Sequence, residues 1–254
     1  MPFFDKILQH GLPIGLRVAG MMTFAPFFGS SAVAFRIKAG FTLLLTVLLY
    51  PVCPVPHLVL SPSGWTRIVL SETMLGLAVG LCLQFVIEAA QLAGQIVGFQ
   101  FAFSLVNIID PTTNVETPVL STFHQLAALL LFLQMNIHHW ILRGLVKSFE
   151  YVPVGSVTIS AGAMKELFRD VSGVWLACLQ IALPVLLATM FLDIAIGFIS
   201  KASPQMPALF LSVPLKSLVG FAVLATTVAM WPGFFEKQFT LALGWAERFM
   251  LLAH

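Results

Sequence analysis

VSGVWLACLQIALPVLLATMFL (residues 171–192) contains no Asp, Glu, Lys or Arg, and Asp193 follows it directly. A run of about 20 apolar residues is long enough to cross the roughly 30 Å hydrocarbon layer as a helix. Five more charge-free stretches lie around it, at 18–35, 39–66, 89–109, 117–142 and 217–235. The chain therefore reads as all-α, built for lipid or for burial inside a large helical assembly. Composition agrees: 59% of residues are hydrophobic and 9% charged, against about 25% charged in soluble domains. A soluble chain this apolar could not cover its own core. The net charge of +2 is spread over scattered basic residues, which excludes a nucleic-acid face.

Cys53, Cys82 and Cys178 are far apart in apolar surroundings and read as buried small hydrophobes, not as a disulfide or metal framework. Met1 to Gln9 carries Asp5 and Lys6. It lacks a basic n-region and a small-residue cleavage site, so the N-terminus is expected to be retained.

Working outward, Trp175 to Ile199 and Leu209 to Trp231 read as a helical hairpin about the turn Ser203–Pro207. Ile159 to Val171, with Lys165, Glu166, Arg169 and Asp170, reads as a separate interfacial helix. Leu12 to Phe35 is apolar but broken by Pro13, Pro26 and a Gly-Ser turn, and Ala39 to Tyr50 reads as a helix. Pro51, Pro54 and Pro56 then impose an extended linker. Arg67 to Glu88 and Ala89 to Ile109 read as consecutive helices, Val119 to Val146 as one long helix, and Glu236 to His254 as a short amphipathic one. The chain is expected to be one unit over 1–254, with an N-terminal helical part over roughly 1–155 and a C-terminal hairpin part over 156–254. Basic residues occur in nearly every break, so loop charge sets no orientation.

Gly76 and Gly80, and again Gly94 and Gly98, are small residues four apart on one helix face, a spacing that lets another backbone approach closely. Asp193 stands in mid-helix, where a lone carboxylate facing lipid costs about 2.5–3.5 kcal/mol and should meet a partner. Lys216, across the hairpin turn, falls at a comparable height, and the two are expected to form a buried charge pair. No phosphate loop, dinucleotide fingerprint, HExxH or CxxC pair occurs. His124 and His138 lie near one face with no carboxylate to join them, and read as core histidines. No metal, cofactor or catalytic activity is expected.

The run GQIVGFQFAFSLVNIIDP (94–111) resembles the signature of the flagellar biosynthetic protein FliR family, which includes the SpaR and SctT proteins of virulence-associated type III secretion. Three further stretches agree: FLQMNIHHWILRGLVKSFEYVPVG (132–155), ALPVLLATMFLDIAIGFISKASPQM (182–206) and SVPLKSLVG (212–220). Arg17, Pro26, Arg36 and Lys38 fit more loosely. The Gly-Gln…Asp-Pro and Ser-Phe…Pro-x-Gly patterns favour the flagellar branch. Departures at Ala102, at Met206-Pro207-Ala208 and at Asn136-Ile137-His138 leave the resemblance intact.

The resemblance implies kinked helical hairpins like those of the FliP, FliQ and FliR export-gate subunits. It implies an inner-membrane location in the flagellar basal body, with FliP, FliQ and FlhB as partners and unfolded flagellar export substrates as cargo. It further implies that the faces carrying the paired glycines bind neighbouring subunits. The segment Val106-Asn107-Ile108-Ile109-Asp110-Pro111-Thr112-Thr113-Asn114-Val115-Glu116-Thr117-Pro118 would plug the closed channel. Phe99, Phe101 and Phe103 could supply an apolar collar beside it. The rival reading is a proton-coupled secondary transporter carrying its proton on Asp193 or Glu88, which would call for an internal repeat that is not evident. A membrane-embedded protease lacks its constellation of side chains.

Overall fold

The computed structural model describes residues 2–29, 33–53, 62–101, 119–157, 160–203, 205 and 208–253. Among them every regular element is an α-helix. The order is α1 (Pro2–Phe24), α2 (Phe35–Leu49), α3 (Pro62–Gln100), α4 (Val119–Gln134), α5 (Ile137–Tyr151), α6 (Ala161–Ala202), α7 (Ala208–Val228) and α8 (Trp231–Leu252). Three expected features lie outside the described residues: most of the proline linker after Cys53, all of 106–118, and most of the Ser203–Pro207 turn.

Three helices, α3, α6 and α7, are each long and apolar enough to cross a membrane. The α4–α5 pair makes a fourth if its two members count as one bent span. The sequence suggests two helices where α3 runs unbroken for 39 residues, and two again where α6 runs for 42. A charged residue does not stop a helix; only lost backbone hydrogen bonds or a clash does. Glu88 and Asp170 therefore interrupt the charge-free runs without interrupting the backbone. At 1.5 Å per residue each helix is roughly 60 Å long, about twice the hydrocarbon thickness, so neither fits wholly inside a bilayer.

The single long helix expected over 119–146 is instead broken, and α4 and α5 meet at a bend of 68°. Asn136, which precedes α5, has φ 56° and ψ 27°. Asn is one of the few non-glycine residues that enters this left-handed region readily, which lets the break fall there with no proline or glycine beside it.

The chain folds as two units, each described separately. The first comprises Met1–Val86, Phe132–Gly173 and Gln238–His254. Its core holds Ile14, Val18 and Met21 of α1, Leu75 and Leu83 of α3, and Phe149 of α5, all buried. Phe132 and Phe239 close it with ring centroids 5.5 Å apart. Gly76 and Gly80 lie where α3 crosses α1. A side chain at Gly76 would collide with the Arg17 carbonyl, and one at Gly80 would stand 2.6 Å from the Met21 carbonyl.

The second unit comprises Ile87–Leu131 and Val174–Lys237. Ala93 and Val97 of α3, Ala128 of α4, Cys178, Ala182 and Val185 of α6, and Phe235 of α8 form its core. Gly94 admits α4: a side chain there would lie 2.5 Å from the Leu120 carbonyl. Gly98 is looser, its nearest neighbour being Leu120 Cβ at 4.0 Å. The helices that lie closest to Gly76, Gly80 and Gly94 are this chain's own α1 and α4.

Candidate functional site

In the first unit, Arg17 and Glu72 are both fully buried, with Arg17 Nη2 2.6 Å from Glu72 Oε2. Arg17 Nε donates to the same oxygen at 2.7 Å. Nη1 donates to the Ser148 carbonyl at 2.8 Å, and Nη2 to the Val152 carbonyl at 2.9 Å. The guanidinium lies 4.1 Å from the Phe149 ring centroid, stacked as a cation on an aromatic face. Glu72 Oε1 accepts from the Gly155 backbone N–H at 3.1 Å. Burial pulls the Arg17 pKa down and Glu72 pushes it back up.

This network explains the Ser-Phe…Pro-x-Gly pattern. Ser148 and Phe149 cradle the guanidinium. Gly155, at φ 81°, turns its N–H onto the carboxylate through a conformation that a side chain would strain. In the sequence Arg17 and Glu72 stand 55 residues apart on different helices, and no motif joins them. The signal was present: each is a charge in an apolar helix, and such a charge needs a partner.

In the second unit, the described residues flanking 102–118 are both held. Upstream, Phe101 is buried, and its ring lies 4.8 Å from that of Phe221 on α7. Ser217 Oγ donates to the Phe101 carbonyl at 3.3 Å. The Phe101 ring fills the space over Gly220, where any Cβ would collide with it. Downstream, Ser121 Oγ donates to the Gln91 carbonyl at 3.1 Å, one helical turn from Gly94. The segment read as a plug, 106–118, is itself outside the described residues.

One residue before Ser217, Lys216 Nζ lies 2.6 Å from Asp193 Oδ1, joining α7 to α6. The Lys216 side chain is 19% exposed and that of Asp193 48%, so the pair is not buried within this chain. Its surroundings are apolar all the same: Phe191, Ile194 and Phe198 beside it are exposed.

His124 is buried; its Nδ1 is 2.7 Å from the Leu120 carbonyl, and its ring is 4.9 Å from that of Trp231. His138 and His139 have ring centroids 4.2 Å apart. Among the described residues no three His, Cys, Asp or Glu side chains converge as metal ligands would. The three cysteines are buried and unbridged. What these features share is packing and charge pairing.

Residues 9–242 match the family described as bacterial export proteins, family 1. The chain is 29% identical to the flagellar biosynthetic protein FliR of Escherichia coli (strain K12) over 238 residues, covering 94% of this chain and 89% of that protein. It is 28% identical to FliR of Bacillus subtilis (strain 168) over 222 residues, 86% of each. FliR of Caulobacter vibrioides is 24% identical over 238 residues, covering 92% of this chain and 90% of that protein. The chain belongs to the FliR family of bacterial export proteins.

Proposed function

We propose that this protein is a subunit of the flagellar type III export gate. With FliP and FliQ, and beside FlhB, it forms the channel in the inner membrane at the flagellar basal body through which unfolded flagellar proteins leave. It has no catalytic role. Residues 106–118 plug the closed pore, and the Asp193–Lys216 pair fixes the α6–α7 hairpin that carries Phe221 and Ser217 against one root of that segment.

The observation that carries this reading is the family match across residues 9–242. The apolar surface supports it. Phe35, Val47 and Leu43 on α2 are 82%, 71% and 67% exposed, and Phe198 on α6 and Leu218 on α7 are 72% and 68% exposed. Exposed apolar patches of this extent mark lipid or protein contact. A transporter carrying its proton on Asp193 is disfavoured, because that carboxylate is already held by Lys216.

Affinity purification of this chain from cells that co-express the three partners tests the assignment. FliP and FliQ should co-elute in fixed ratio and survive gel filtration as one complex. A chain that elutes alone or as a homodimer, from cells in which all partners accumulate, would refute it.

A further inference from the structure

Asp170 sits in α6 within the first unit, only 1% exposed, and among the described residues its carboxylate oxygens receive no N–H or O–H donor. Glu72, also fully buried in this unit, receives Arg17 and the Gly155 N–H. Asp170 has no such help. The polar group facing it is the Cys82 thiol of α3, itself 2% exposed.

Among the described residues, the cations of α6 and α8 point away from it. On α6 itself Lys165 is exposed, and Arg169, 68% exposed, leans 3.9 Å from Glu166. From α8, Trp245 packs on Gly173, while Glu247 and Arg248 are exposed and Glu247 accepts from Tyr151 Oη at 2.8 Å.

An ionised carboxylate in such a place is very costly, and a thiol is too weak a donor to offset it. A neutral carboxylic acid is far cheaper, being one donor and one acceptor beside sulfur. We propose that Asp170 is a proton-binding site: the folded protein holds it as a neutral acid up to about neutral pH, wedged against Cys82 between α3 and α6.

The sign of its effect on stability follows. In the unfolded chain an aspartate loses its proton near pH ~3.9. Between that pH and the higher one at which the buried acid itself ionises, the folded state binds more protons than the unfolded state, so stability contributed by this site falls as pH rises through that window and then levels off. A paired carboxylate behaves in the opposite way.

The test uses the full-length protein in detergent and follows thermal unfolding of wild type and Asp170→Asn as pH is raised from ~5 to ~9. Asn keeps the shape of the neutral acid and cannot ionise. The variant should match or exceed the wild-type midpoint at neutral pH, with a gap in its favour that widens as pH rises. A variant less stable than wild type, with a deficit constant or growing with pH, overturns the proposal. Should Asp170→Asn fail to fold, infrared spectra decide. Wild type at neutral pH should display a protonated-carboxyl C=O stretch that Cys82→Ala shifts in frequency. Absence of that stretch, or indifference to Cys82→Ala, overturns the proposal.

Discussion

Arg17 and Glu72 stand 55 residues apart in sequence and meet at 2.6 Å with no solvent reaching either side chain. Through Ser148, Val152 and Gly155 they tie α1 and α3 to α5 and the turn that follows it. Removing one member leaves the other as an unpaired buried charge, which destabilises by about 3–5 kcal/mol. Arg17→Ala and Glu72→Ala should each abolish accumulation of the folded protein, read as protease-resistant full-length chain in membranes. Arg17→Lys should not rescue, since an ammonium cannot reproduce the planar fork that reaches Glu72, Ser148 and Val152 together. Wild-type accumulation of Arg17→Lys would show that charge alone is needed. The double change to Met and Leu should accumulate better than either single alanine variant.

The Asp193–Lys216 pair should behave more mildly, since Asp193 is half exposed in the isolated chain. Exposed pairs contribute about 0–1 kcal/mol. Asp193→Asn and Lys216→Met should therefore leave the chain folded, with thermal midpoints close to wild type. If lipid or a neighbouring subunit covers this face, the same variants should reduce complex yield and swimming. Exchanging the two charges should restore much of what either single change loses. Loss of folding in either single variant would contradict this account.

Gly94 and Gly98 share one helix face and one spacing, yet their surroundings differ. An alanine methyl at 94 would sit 2.5 Å from the Leu120 carbonyl, whereas at 98 it meets only Leu120 Cβ at 4.0 Å. Gly94→Ala should push α4 away and lower stability by about 1–3 kcal/mol. Gly98→Ala should be neutral or stabilising by up to about 1 kcal/mol, from helix propensity. Thermal unfolding of the two variants side by side checks this, and equal effects would refute the close approach at Gly94.

Much of the architecture is legible in the residues. Charge-free runs of helix length mark α2, α3, α6 and α7, and composition alone demands a membrane or many partner surfaces. Ends and bends are less legible. Glu88 and Asp170 look like helix breaks because charge is conspicuous, yet backbone hydrogen bonding is indifferent to it, so α3 and α6 pass through. The bend at Asn136 is nearly silent, since neither proline nor glycine marks it and only the tolerance of Asn for positive φ permits it. Arg17 and Glu72 are legible only as two charges that each need a partner, since no periodicity connects positions on different helices. Their partners, Ser148, Phe149 and Gly155, show in the sequence only as part of a family-like pattern. Asp170 was read as one polar residue of an interfacial helix. That reading fits Lys165 and Arg169, which are exposed, and fails for Asp170, which the helix turns inward against α3.

The central claim is a gated channel closed by residues 106–118, and ion leak tests it most directly. The chain would be co-expressed with FliP and FliQ in cells otherwise blocked in flagellar assembly, with residues 110–118 shortened and the anchors at Phe101, Leu120 and Ser121 kept. Membrane conductance and small-solute uptake would then be compared with the intact chain. The account predicts a leak that appears only with the shortened segment, in a complex that still assembles. An assembled complex that stays sealed after shortening would contradict the claim and reduce the segment to a connector between α3 and α4.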